Sequence, residues 1–231
     1  QHLSETGRHK EAQKVMRRAL VLRPNYGVLR TAFGDVLWAA GLPDKADRSY
    51  RDAGRCATPD QRALSRRGDL ARRQRKLGKA IDLYRQAIEA DATLVEAYNG
   101  MAMSHHGLEQ FERAVATYRK GLAVDRNDPV LNNNLGSTLY LQGKFRAALT
   151  VFQRAATVDP KEGRYWRNQI MVLKQMGRLE AAEKVLEQGK KALPADPGWV
   201  NEAISLRKAI ELRERVMKDA VPGTGKGQQL R

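Results

Sequence analysis

Scarcity narrows the chemistry of this chain first. One cysteine, Cys56, in 231 residues excludes an intramolecular disulfide. With no histidine close in sequence to activate it, Cys56 reads as a small hydrophobe near a helix end. There is no run of 18 apolar residues and no signal-peptide pattern, so no transmembrane helix is expected, and cytosolic and periplasmic settings both stay open. Sustained two-residue alternation is also missing, which argues against a sheet. Only four histidines occur: His2, His9, His105 and His106. None has a zinc-ligand spacing, and no Ser/His/Asp arrangement can be argued, so neither a metal nor a catalytic site nor any cofactor is expected. The segment Pro222-Gly223-Thr224-Gly225-Lys226-Gly227 imitates a phosphate-binding loop. It has Ala220 where the first glycine should stand and Gly227 where Ser or Thr should follow the lysine.

What the chain has is a period. Ala12, Ala46, Ala80, Ala114, Ala148 and Ala182 recur every 34 residues. Other positions keep step with them. Gly34, Gly68, Ala102 and Gly136 precede the alanines by a fixed interval, and Met16, Tyr50, Tyr84, Tyr118, Phe152 and Leu186 follow one turn after. A second small residue comes next, at Ala19, Ala53, Ala87, Gly121, Ala155 and Gly189. Turn glycines are expected at Gly7, Gly41, Gly143 and Gly177, with Arg75 and Glu109 in their place in the middle copies. Pro24, Pro160 and Pro194 end three copies. Small residues let two helices approach closely while the large one fills the gap between them. A glycine supplies the positive φ at the first helix's end, and a proline cannot continue the second. The expected unit is an antiparallel helix pair, and stacked pairs bury a core that no single pair could bury.

These residues resemble the tetratricopeptide repeat (TPR) family over roughly residues 1–196. The fullest copy runs from Asn132-Asn133-Asn134-Leu135-Gly136 through Tyr140, Gly143, Phe145, Ala148, Phe152 and Ala155 to Pro160. Tyr98 and Trp166 occupy the aromatic position that opens the family's first helix. The resemblance implies an all-α, right-handed α-solenoid. The boundaries read as a truncated first repeat over 1–26, whole repeats over 27–60, 61–94, 95–128, 129–162 and 163–196, a capping helix over 197–220 and a disordered tail over 221–231. The cap is expected to turn a stripe of Trp199, Ala203, Leu206, Ile210 and Met217 to the last repeat. Too few residues precede Gly7 for a full first helix, so further sequence upstream is expected. The copy at 61–94, with Leu64, Arg75 and Ala92 at signature positions, is expected to have an irregular inter-helix turn.

Formal net charge is +16, and the copy at 61–94 concentrates it in Arg62, Arg66, Arg67, Arg72, Arg73, Arg75, Lys76 and Lys79 against Asp69. A solvated helix face is one reading and an anionic partner the other. Exposed aromatics that would stack on bases are missing from this interval, so acidic protein ranks above nucleic acid.

In the TPR family a fixed set of first-helix positions lines the concave face. Carried over, they select Asp35 and Trp38, then Arg62, Arg66, Asp69 and Arg72 with Arg73 beside them. Glu96, Asn99, Met103 and His106 follow, then Asn133, Asn134, Ser137 and Tyr140, and last Arg164, Arg167, Asn168, Met171 and Lys174. Carboxamides pair with a peptide backbone, arginines take carboxylates and methionines adapt, so this lining suits an extended peptide. Asn134 and Asn168 resemble two rungs of the asparagine ladder in O-linked N-acetylglucosamine transferases. The carboxylate clamp of heat-shock co-chaperones has no matching register. The resulting expectation is a noncatalytic scaffold that holds a partner protein or peptide of acidic character. Its nearest resemblance is to bacterial TPR proteins of envelope machinery such as Tad/Flp-type pilus assembly factors. The rivals are the recognition arm of a larger enzyme and a binder of anionic polymer. A dimer through the open N-terminal end is a further expectation.

Overall fold

The computed structural model describes residues 2–220, with side chains over 8–218. The phosphate-loop imitation and the expected tail therefore lie outside the described residues. Twelve helices follow one another: α1 (His2–Leu22), α2 (Gly27–Ala39), α3 (Pro43–Ala53), α4 (Arg62–Arg73), α5 (Leu77–Ala90) and α6 (Val95–Gly107). Then come α7 (Phe111–Val124), α8 (Pro129–Leu141), α9 (Phe145–Val158), α10 (Gly163–Gln175), α11 (Leu179–Ala192) and α12 (Gly198–Ala220). Among the described residues there is no strand, only one bridge between Tyr26 and Thr58. The fold class expected from the period, all-α antiparallel helix pairs, is the one observed. The chain divides into two compact units, residues 1–126 and 127–231.

Within the first unit α2 pairs with α3, α4 with α5 and α6 with α7, while α3 also packs on α4 and α5 on α6. In the second unit α8 pairs with α9 and α10 with α11, and α12 lies against α11. The in-register alanines explain how the helices approach. Ala46, Ala80, Ala114, Ala148 and Ala182 are all 0% exposed. The large residue one turn on fills the space beside a glycine. A Cβ on Gly68 would stand 2.7 Å from the Tyr84 ring, and one on Gly136 2.7 Å from the Phe152 ring. Real Cβ contacts are never that short, so the glycine and the ring are a matched pair.

The turn between paired helices is the same in every complete pair. Gly41, Arg75, Glu109, Gly143 and Gly177 have φ of 74°, 61°, 59°, 72° and 70°. The next residue donates its N–H back across the helix end: Leu42 to Leu37 O, Lys76 to Ala71 O, Gln110 to His105 O, Lys144 to Leu139 O and Arg178 to Leu173 O, all at 2.9 Å. This is the Schellman closure, which satisfies carbonyls that a helix end leaves open. The copy at 61–94 is therefore regular at its turn, contrary to expectation: Arg75 adopts the left-handed conformation that glycine adopts elsewhere.

Two further expectations are corrected. Gly7 is not a turn, because α1 runs unbroken from His2 to Leu22. A lone glycine costs a helix only about 1 kcal/mol, less than breaking a continuous run of hydrogen bonds. On α12, Trp199 and Leu206 are buried and Ala203 and Ile210 half-buried, but Met217 is 63% exposed. It lies on the length by which the 23-residue α12 outruns the 14-residue α11.

Candidate functional site: an arginine and tryptophan cavity between α2 and α4

In the first unit, six residues selected from the sequence converge. Asp35 and Trp38 on α2 face Arg66, Asp69, Arg72 and Arg73 on α4 around a cavity of about 250 Å³, completed by Tyr50 and Leu70. The helical spacing brings them together, since residues three and four apart share one face. Arg66 reaches Asp35 at 3.3 Å and Asp69 at 3.7 Å, while Arg72 reaches Asp69 at 3.5 Å. The Arg73 guanidinium lies over the Trp38 indole, 5.1 Å from the ring centre, a cation–π contact. Three guanidiniums thus meet two carboxylates, leaving a positive excess beside the half-buried Trp38 indole and the apolar floor of Leu70.

The sequence reading did not anticipate two tyrosine hydroxyls beneath these charges. Tyr50 donates to Asp35 at 2.8 Å and Tyr84 to Asp69 at 2.7 Å. Burial, followed by the carboxylate beside it, pushes each hydroxyl well above the usual tyrosine value. Arg72 donates to the Tyr84 hydroxyl from the other side at 3.4 Å. The signal was in the period, because Asp35 and Asp69 are spaced by the same 34 residues as Tyr50 and Tyr84.

Four of the eight cations concentrated at 61–94, Arg62, Arg66, Arg67 and Arg72, pair with acids of the same chain. Arg62 binds Asp60 through Nε at 3.0 Å, and Arg67 binds Asp47 at 2.9 Å. Burial would raise the Asp60 carboxyl, but hydrogen bonds from the Arg62 side chain and backbone hold it below the usual carboxylate range. Arg62, expected in the groove, thus closes on Asp60 and does not line the cavity. Elsewhere in this unit Asn99, Met103 and His106 are half-buried on α6, with Glu96 exposed near its start. The His106 ring meets Phe111 edge-on at 5.5 Å.

In the second unit the selected residues are tied into the frame. Asn133 is 5% exposed and accepts from the Asn168 amide at 2.7 Å while donating to Asn134 Oδ1 at 3.3 Å. The two expected ladder rungs are therefore joined through a buried third asparagine. Arg167 binds Asp196 at 2.6 Å and lies over the Trp199 ring, 5.6 Å from its centre. That contact ties α10 to the start of α12. Arg164 pairs with Glu162 at 3.0 Å, and Lys174 bonds Ser205. Ser137 donates to the Asn133 carbonyl at 3.2 Å, the Tyr140 ring contacts Phe145, and Met171 is half-buried.

Cys56 is half-buried just past the end of α3, its Sγ 3.3 Å from the Asp52 carbonyl oxygen. Among the described residues no group of three or more His, Cys, Asp or Glu side chains is arranged to hold a metal, and no helix is long and apolar enough to cross a membrane.

Repeated helix pairs with matched small and large contacts, and a side-chain-lined face on the first helices, define an α-solenoid interaction scaffold. The tetratricopeptide repeat profile matches residues 31–94, 95–128 and 133–197. The chain belongs to the tetratricopeptide repeat family, whose fold serves protein–protein interaction. Among solved structures, PilF of Pseudomonas aeruginosa is 19% identical with a TM-score of 0.69, over 86% of this chain and 90% of that one. YrrB, a TPR protein with an unusual peptide-binding site, is 17% identical with a TM-score of 0.60, over 82% and 97%. The C-terminal part of a TPR protein from Cytophaga hutchinsonii is 15% identical with a TM-score of 0.72, over 93% and 86%. Likeness at such identities is likeness of fold.

Proposed function

We propose that this chain is a noncatalytic scaffold that holds an extended segment of a partner protein along its first-helix faces, with the cavity between α2 and α4 as the principal grip. The carrying observation is the convergence of Trp38, Arg66, Arg72 and Arg73 over Leu70 around one open cavity. An indole and an apolar floor take an apolar side chain, while guanidiniums that already hold carboxylates take another presented by the partner. The partner segment is accordingly acidic with an apolar anchor. The setting proposed is a bacterial envelope assembly such as a pilus or secretion complex, a reading favoured by the fold likeness to PilF.

The test is fluorescence anisotropy with a labelled library of peptides that pair Asp or Glu with one large apolar residue. Binders are expected to lose at least about tenfold in affinity to R66E/R72E and to W38A, about 1.4 kcal/mol or more. Binding that survives all three substitutions ends this reading. An anionic polymer would show log affinity falling steeply with log salt and no need of Trp38. The internal pairing of Arg62, Arg66, Arg67 and Arg72 argues against that alternative.

A further inference from the structure

Helix α2 has a second cavity on the side away from Trp38. Arg30, Phe33 and Leu37 share one face of α2 through their three- and four-residue steps, whereas Asp35 and Trp38 lie on another. With residues of α1 and α3 they enclose about 300 Å³. Leu20, Phe33 and Leu37 make its apolar floor, where Leu37 is only 2% exposed. Arg17, Lys45 and Arg48 stand exposed at its rim. The Arg17 guanidinium lies over the Phe33 ring, 5.8 Å from its centre. Asp52, the one acid in the lining, is already met by Arg30 at 3.8 Å. Among the described residues no carboxylate pairs with Arg17, Lys45 or Arg48.

One period further on, the same trough is closed. Phe33, Leu37 and Lys45 correspond to Arg67, Ala71 and Lys79 in the lining between α3 and α4. There Arg67 binds Asp47 at 2.9 Å, and the cavity shrinks to about 140 Å³. In the first trough Phe33 replaces that arginine and Gln13 replaces that aspartate, so no ion pair can cross it. Arg48 likewise stands where the next copy has Asp82. The closed trough takes no lining from α2, although α2 precedes α3. The opening at Phe33 is accordingly a matter of side chains in α1, α2 and α3, whatever precedes α1.

We infer that this cavity is a second docking site for protein, seating one large apolar side chain of an acidic segment whose flanking carboxylates meet Arg17, Lys45 and Arg48. Cations without acids above an apolar floor match an anion that carries an apolar group. The floor is recessed, so it takes a group that projects into it, which a bilayer surface does not offer. The Phe33 ring face carries Arg17 and is not offered to a base, which disfavours nucleic acid. The site shares no residue with the cavity between α2 and α4, and both can be filled at once, one on each side of α2.

The test uses the full chain carrying R66E/R72E, which removes the first grip. The probe is an Asp- and Glu-rich peptide with one central benzoylphenylalanine. Irradiation is expected to join it to α1, α2 or α3 around Leu20, Phe33 and Leu37, read by mass spectrometry of the digest. K45E/R48E changes two exposed side chains and is expected to weaken binding at least about tenfold, as is glycine at the probe's centre. Phe33→Ala should do the same, with circular dichroism checking that the fold persists. Absence of binding to the R66E/R72E chain at about 1 mM probe overturns the proposal. So do adducts confined to other helices, or an affinity indifferent to K45E/R48E. Phosphatidylglycerol vesicles that compete with the probe and depend on Lys45 and Arg48 would assign these cations to lipid and overturn it as well. In the wild-type background, binding lost wholly to R66E/R72E sinks this site and leaves the grip between α2 and α4 standing. Binding that K45E/R48E alone abolishes does the reverse.

Discussion

The Tyr84 hydroxyl donates to Asp69 at 2.7 Å from beneath the helix that carries it, and Tyr50 repeats the contact with Asp35 at 2.8 Å one period earlier. Each phenol must stay protonated to donate, and each is raised by burial and by the carboxylate it meets. A group raised in the folded state stabilises fully below its unfolded value and loses that contribution as pH climbs above it. Stability is therefore expected to fall above pH 10, the ordinary tyrosine value. Absorbance at the phenolate band should rise together with loss of helix, and tyrosines that ionise freely in the intact fold would contradict this. Tyr84→Phe is expected to cost about 1 kcal/mol in urea unfolding.

Acid acts through Asp60. Its folded value lies below the ordinary 3.8, so the stability it contributes is present above that value and declines as pH falls through the folded one. Chemical denaturation between pH 5 and pH 2, run on wild type and Asp60→Asn, should give a smaller acid slope for the variant. Equal slopes would place the acid sensitivity elsewhere.

Arg75 and Glu109 hold φ of 61° and 59°, the conformation glycine supplies at the three other turns. An L side chain there is strained by about 1 kcal/mol. Arg75→Gly and Glu109→Gly are therefore each expected to raise stability by a few tenths to about 1 kcal/mol, the added freedom of glycine in the unfolded chain offsetting part of the gain. Thermal melts of both variants check it; a loss above 1 kcal/mol would mean that these side chains hold the turn by contacts of their own.

Gly136→Ala drives a methyl into Phe152, and a cost of about 1–3 kcal/mol is expected from that overpacking. Phe152→Leu in the same chain should recover part of it. If the alanine alone is neutral, the ring has room to move and the glycine–ring match is looser than the 2.7 Å approach implies.

The helix pairs were legible because packing repeats. Six alanines in register report a constraint that each copy must satisfy separately, and five of them are wholly buried. The exception, Ala12, falls where Gly7 failed as a turn. Glycine permits a turn but does not impose one, and the helix simply continues through it. The faces of the first helices were legible for a similar reason, which is why Asp35, Trp38, Arg66, Asp69, Arg72 and Arg73 meet. What each charge does there was not legible. Arg66 finds Asp35 from 31 positions away on another helix, and no spacing within α4 tells which acid will face it. Asn133 was selected as lining yet is buried, because its amide carries the Asn134 and Asn168 contacts inward. Periodicity reports which way a residue points, whereas pairing across helices depends on side-chain reach.

The hinge of every complete pair is held by main-chain hydrogen bonds of one length, whether the residue there is glycine, arginine or glutamate. Mechanics and recognition are consequently written in different atoms. The bend between partner helices draws on amide and carbonyl groups that every amino acid possesses, so selection can rewrite the faces of α2, α4 or α10 without disturbing the angle at which they are offered.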